Sequence, residues 1–169
     1  MEHALRGMLA DRGIHDLPIA SAGTRALVGK PLDPLFEKHL SARNVDASGF
    51  RSAQLNADIL NRSAIVVTAT RDHRRDVVRY DNALAERTFT LAQLSRLLSD
   101  EGLAGAPSVQ SPEGLVATAL AARERRPLAA TEADDIEDPW QRSRRVHRRV
   151  ADRLDELLMP LATRLAAGS

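Results

Sequence analysis

Cysteine is absent from the 169 residues, which excludes disulfides, cysteine-based zinc sites and any thiol nucleophile within them. Aromatic residues are scarce, at 3% of the chain, and Trp140 is the sole tryptophan. An excess of charge is also lacking: 24 basic residues face 23 acidic ones, so no global field favours nucleic acid or an anionic membrane as a partner. Lysine is nearly missing, with only Lys30 and Lys38, and arginine supplies the rest of the positive charge. No apolar run approaches the roughly 18 residues of a membrane span, and Met1-Glu2-His3 does not open a signal peptide. A cytoplasmic chain is therefore expected. The five histidines, His3, His15, His39, His73 and His147, are scattered, and no two stand at the i, i+4 spacing of a helical metal site. Neither a metal nor a cofactor is expected.

What is present suits one domain spanning 1–169, since 43% hydrophobic content supplies a buried core at this length. Leu5, Met8 and Leu9 share a helical face, Gly13 supplies the stop, and no capping residue precedes Glu2. Leu17 to Ala20 reads as a short strand. Asp33 caps a helix running from Pro34 to about Arg43, and a short helix is expected around Asp58 to Asn61. The β-branched run Ala64 to Thr70 predicts a strand buried on both faces, followed by a helix over Arg71 to Tyr80. A second strand is expected over Arg87 to Leu91, with a helix from Ala92 to Leu98. Strand alternating with helix implies βαβ units and a parallel sheet. Ser99 to Pro112, rich in Gly, Ser and Pro, reads as a mobile connection before a helix over Glu113 to Arg123. After Trp140 an amphipathic helix is predicted to about Leu158, its inner face built from Val146, Val150, Leu154, Leu157 and Leu158. Pro160 is expected to kink or interrupt it before Leu161 to Ala167. Arg142, Arg144, Arg145, Arg148 and Arg149 read as a solvated face, because Asp152, Asp155 and Glu156 interleave at i+3 and i+4.

One stretch, Asp134-Asp135-Ile136-Glu137-Asp138-Pro139-Trp140, joins carboxylates, a rigid turn and the tryptophan. Proline pushes the residue before it into an extended conformation, so Asp138 is held out from a loop, where a carboxylic acid suits proton donation to a leaving group. The same residues also read as a simple helix start.

Ser21-Ala22-Gly23-Thr24, Gly29-Lys30-Pro31-Leu32-Asp33-Pro34, the run Ile65 to Thr70 with Arg71-Asp72-His73, and Asp138-Pro139-Trp140 occur in the order and spacing of one family. The sequence resembles the low-molecular-weight protein tyrosine phosphatases. That resemblance implies a three-layer doubly wound α/β fold with a parallel sheet, from which the first, central strand and the phosphate loop are missing. It also implies hydrolysis of a phosphotyrosine protein or a small phosphate monoester, by a cysteine thiolate that attacks phosphorus and an aspartic acid that protonates the departing phenol. Asp138 matches the general acid and Trp140 an aromatic lining the slot for the substrate ring. Leu27 lies in the loop forming the other wall. Ser21 matches a serine that steadies the phosphate loop, although by residue type it reads equally as a strand-end turn. Phe50, in Gly49-Phe50-Arg51-Ser52, stands where the family usually has histidine, and His73 reads as a helix-start residue.

The family's nucleophile loop, C-x5-R-S, has no counterpart, and Glu2-His3-Ala4-Leu5-Arg6 resembles the helix just after it. Either the natural start lies upstream and supplies that loop, or the strand and loop have been lost. Burying about five or six apolar side chains of a central strand contributes on the order of 10 kcal/mol, comparable to total stabilities of about 5–15 kcal/mol. That comparison favours an upstream start. Without the loop the chain is expected to be inactive. The alternatives are a non-catalytic phosphatase-like binding module, an arsenate reductase, which the lack of cysteines disfavours, and a protein-arginine phosphatase.

Overall fold

The computed structural model describes residues 1–99, 109, 111–125 and 131–166. Its chain divides into two compact units, the first formed by Met1–Leu55 and Glu137–Leu158, the second by Asn56–Ile136 and Met159–Ser169.

In the first unit the apolar stripe of Leu5, Met8 and Leu9 winds into α1 (Glu2–Ala10), with Met8 and Leu9 buried. No side chain caps its start. Gly13, at φ 80°, ends it: the Gly13 and Ile14 amides return to the Ala10 and Leu9 carbonyls at 3.0 and 2.9 Å. Helix α2 (Pro34–Ser41) begins as its sequence dictates, with Pro34 in the first turn and the Asp33 carboxylate accepting the Leu35 N–H at 2.8 Å. The strand expected over Leu17 to Ala20 does not form. Its side chains alternate between half-buried and exposed as a strand's do, but these residues have no ladder partner among the described residues, and a strand needs one. Parallel pairing in this unit is reduced to one bridge, Gly23 with Gln54.

The second unit holds the βαβ element. After α3 (Ala57–Arg62), capped by Asn56, comes β1 (Val66–Thr68), then α4 (Arg71–Val78), a 3₁₀ turn (Asn82–Arg87), β2 (Thr88–Thr90) and α5 (Leu91–Leu98). The strands pair in parallel, with Val66 opposite Thr88, Val67 opposite Phe89 and Thr68 opposite Thr90. A threonine caps the helix after each strand: Thr70, two residues past β1, accepts the His73 N–H at 3.1 Å, and Thr90, the last residue of β2, accepts the Gln93 N–H at 3.2 Å. Strand β1 is shorter than its β-branched run and, contrary to expectation, is not buried on both faces. Only Thr68 is buried, whereas β2, which packs against α4, α5 and the 3₁₀ turn, is buried throughout. Arg74 of α4 fastens β2, donating to the Thr88 carbonyl at 2.8 Å and to that of Ala85 at 3.0 Å. Helix α6 (Pro112–Arg125) contributes Leu115, Ala119 and Ala122 to a core with Phe89, Leu91, Leu94, Leu97 and Leu98.

Helix α7 (Arg144–Ala166) is continuous through Pro160, so the expected interruption does not occur. The missing N–H costs about 3 kcal/mol, and burial of Leu157, Leu158, Leu161 and Leu165 around the proline at about 1.5–3 kcal/mol each outweighs it. The connection expected over Ser99 to Pro112 falls largely on 100–108 and 110, and the lead-in from Arg125 to Glu132 on 126–130, outside the described residues; so does Ala167.

Candidate active site

The acidic stretch does not start a helix. Helix α7 begins only at Arg144 and carries no acid in its first turn. Instead, successive residues are tied down one by one. Asp134, fully buried, pairs with Arg96 of α5, and its other oxygen accepts the Thr131 N–H at 2.9 Å in a capping box. The Asp135 carboxylate accepts the Arg71 backbone N–H at 2.7 Å and the guanidinium at 2.9 and 3.2 Å. Those side-chain and backbone bonds hold the Asp135 carboxyl below its ordinary value of 3.8. Ile136 donates to the Ala69 carbonyl, at the end of β1, at 3.0 Å. Glu137 pairs with Arg149 of α7.

Asp138 follows these four anchors and is exposed. Its Oδ1 accepts the Trp140 N–H at 3.0 Å, an Asx turn, leaving Oδ2 without a protein donor among the described residues. The turn continues as the Arg142 N–H reaches the Pro139 carbonyl at 2.9 Å, with Gln141 at φ 58°. Trp140 is held by its backbone while the residue stays 59% exposed. The outcome is an acid and an aromatic side by side on a pinned loop.

Leu27 stands on a second rigid loop and is 62% exposed. Gln54 braces that loop: its Oε1 accepts the Ala26 N–H at 3.1 Å and its Nε2 donates to the Thr24 carbonyl at 3.0 Å. Ser52, from the Gly49-Phe50-Arg51-Ser52 stretch, donates its hydroxyl to the Leu27 carbonyl and accepts the Lys30 N–H at 3.1 Å. Phe50 meets the His3 ring edge-on at 5.7 Å. Ser21 donates to Glu2 Oε2 at 2.6 Å, and Glu2 Oε1 lies 3.2 Å from Arg6 Nε. His73 lends its backbone to the α4 cap.

Ser21, Leu27, Asp138 and Trp140 all belong to the first unit, and all four are exposed. Among the described residues the structure joins only Asp138 and Trp140 by a hydrogen bond.

Sequence reasoning missed the anchors Arg71 and Arg96. The signal available was the pair Asp134-Asp135 placed too far ahead of any helix to cap it. It also missed two polar links between α2 and α7. His39 Nε2 and Arg43 Nη1 lie 2.7 and 2.6 Å from Asp155 Oδ2, and His147 Nε2 lies 3.6 Å from Asp33 Oδ2, with Phe36 packed on its ring. His39, Asp152 and Asp155 place their ligand atoms within 4.8 Å of one another. The Arg43 guanidinium on the shared Asp155 oxygen opposes a dication there, so the cluster fits an ion-pair network rather than a metal. Asp155 is thus buried, and the expected solvated face loses one of its interleaved acids. Glu156 is taken by Arg153 at 3.1 Å.

Comparison with known proteins agrees with this architecture. Residues 1–101 match the family model of the low molecular weight phosphotyrosine protein phosphatases. Among solved structures, the chain is similar to the YwlE arginine phosphatase from Geobacillus stearothermophilus (20% identity, TM-score 0.67, covering 97% of this chain and 84% of that one). Vibrio vulnificus Wzb in complex with benzylphosphonate is similar at 17% identity and a TM-score of 0.65, over 96% of this chain and 86% of that one. The Erwinia amylovora tyrosine phosphatase AmsI is similar at 18% identity and 0.66, over 96% and 80%. No curated protein sequence matches significantly. Among the described residues no helix is long and apolar enough to cross a membrane. With the parallel βαβ fold and the family match in agreement, the chain belongs to the low molecular weight phosphotyrosine protein phosphatase family.

Proposed function

We propose that this chain carries the proton-donating half of a phosphotyrosine phosphatase site, with Asp138 as general acid, Trp140 and Leu27 as walls for the substrate ring, and Ser21 as a support for a phosphate loop. The observation that carries the reading is the loop of four consecutive anchors that ends in a carboxylate oxygen with no protein donor among the described residues, next to an exposed tryptophan. General acid catalysis needs a positioned donor of this kind, because the aryl oxygen must receive its proton as the P–O bond breaks. The second half of the chemistry, a thiolate and a phosphate-binding arginine on a loop of amides, has no cysteine among these 169 residues to build it. These residues alone therefore turn over no phosphate monoester and act as a phosphatase-like binding module. A single folded domain over 1–169, acting in the cytoplasm, is part of the same proposal.

The test is an aryl phosphate assay on protein of confirmed mass, first as it stands and then fused to a strand and C-x5-R-S loop ahead of Glu2. Turnover by the unfused protein would refute the inert reading. In an active fusion, Asp138→Ala is expected to lower turnover about 10²-fold or more with poor leaving groups, and much less with good ones. Equal loss with both classes of leaving group would remove Asp138 from the acid's role.

A further inference from the structure

The arginines that follow Trp140 are not neutralised as their sequence spacing suggests. Asp155 is committed to His39 and Arg43, Glu156 to Arg153, and the Asp152 carboxylate lies with the His39 and Asp155 cluster. Arg149 takes Glu137. That leaves Arg142, Arg144, Arg145 and Arg148, all exposed, with no carboxylate within 4.0 Å among the described residues. Arg144 and Arg148 stand at i, i+4, and Arg145 and Arg148 at i, i+3, so these like charges share a face and repel. A formal net charge of only +1 on the whole chain makes the patch a local feature.

We propose that Trp140 with Arg142, Arg144, Arg145 and Arg148 forms a docking surface for an acidic polypeptide segment, a specificity element that rests on reading the Asp138 loop as a phosphatase acid loop. Guanidinium groups bind carboxylates through paired N–H donors, which lysine does not offer, and all four cations are arginine. From Arg144 to Arg148 the helix rises about 6 Å. Alternate side chains of an extended peptide repeat at about 6.6 Å, so acidic residues two apart match arginines one turn apart. The exposed indole adds an apolar contact for the intervening residue, or for the aromatic ring presented to Asp138. The preferred partner is an extended chain with carboxylates flanking its reactive residue.

The experiment measures anisotropy of a fluorescein-labelled peptide of alternating Glu and Ser around one tyrosine, with the unmodified 169-residue protein. Binding that weakens with salt and shifts Trp140 emission is expected. R144Q/R148Q should weaken it about tenfold. R75Q/R79Q removes the same charge from α4, where both arginines are already paired with Asp72 and Asp76, and should change little. Equal loss in both variants would reduce the effect to net charge and overturn the proposal. So would an unshifted Trp140 emission in the unmodified protein, or tighter binding of duplex DNA than of the peptide at matched salt. Because no turnover is involved, failure here leaves the assignment of Asp138 standing, and failure of the leaving-group test leaves the docking result standing.

Discussion

The two units are built on different balances of forces. Of the twenty-five buried apolar residues described, sixteen lie in the second unit and nine in the first, although each unit has a similar number of described residues. The second unit therefore resembles an ordinary α/β core, with Phe89, Leu91 and Leu94 sealed from water. In the first unit, polar pins supplement a smaller core: His39 and Arg43 on Asp155, His147 on Asp33, Gln54 and Ser52 on the Leu27 loop, and Glu2 on Ser21. Every candidate site residue sits in that unit. Directional bonds can hold loops out in water, where apolar packing has nothing to press against.

Breaking each balance at its own weak point sharpens the contrast. Leu94→Ala in the second unit should cost about 3 kcal/mol, the loss typical of a leucine cavity, read by urea denaturation. Asp155→Ala in the first unit strands His39 and Arg43, and with Arg43 half exposed about 2 kcal/mol is expected, below the 3–5 kcal/mol for a fully buried pair. A loss under 0.5 kcal/mol there would show that the polar pins contribute orientation and little stability. Arg71→Ala should change stability little, since both partners of its ion pair are a third exposed and screened by solvent. Its larger signature would be easier acrylamide quenching of Trp140 as the acid loop loosens, whereas unchanged quenching would strip Arg71 of its anchoring role.

The smallest effect expected is on pH dependence. A carboxyl held below its ordinary 3.8 contributes stability that is complete above that value and disappears as pH falls through the lower folded-state value. Trp140 emission should therefore be flat at neutral and mildly acidic pH and begin to change only below about pH 4. In Asp135→Asn that acid transition should be missing. A transition that persists in the variant would assign it to another group.

Much of the fold could be read from local chemistry. Asp33 and Pro34 start α2, Gly13 stops α1, Thr70 and Thr90 sit where strand gives way to helix, and α4, α5 and α6 lie within a few residues of their expected ranges. These features depend on neighbours three or four residues away. The misses depended on distant partners. Leu17 to Ala20 has a strand's alternation but no ladder among the described residues, Pro160 is carried inside α7 by burial on both sides of it, and Asp155 turned inward to α2 instead of outward to its own helix.

For the candidate site the division falls in the same place. By itself the sequence determined the family and the absence of a thiol within these residues, because an ordered set of motifs and a count of cysteines need no third dimension. Only the tertiary structure decided that Asp134 and Asp135 are anchors, that Ser21 is held by Glu2, and that four arginines after Trp140 are left without acids among the described residues. Each of those facts joins residues far apart in the chain or depends on which of several nearby charges a side chain reaches, and that choice is made by packing.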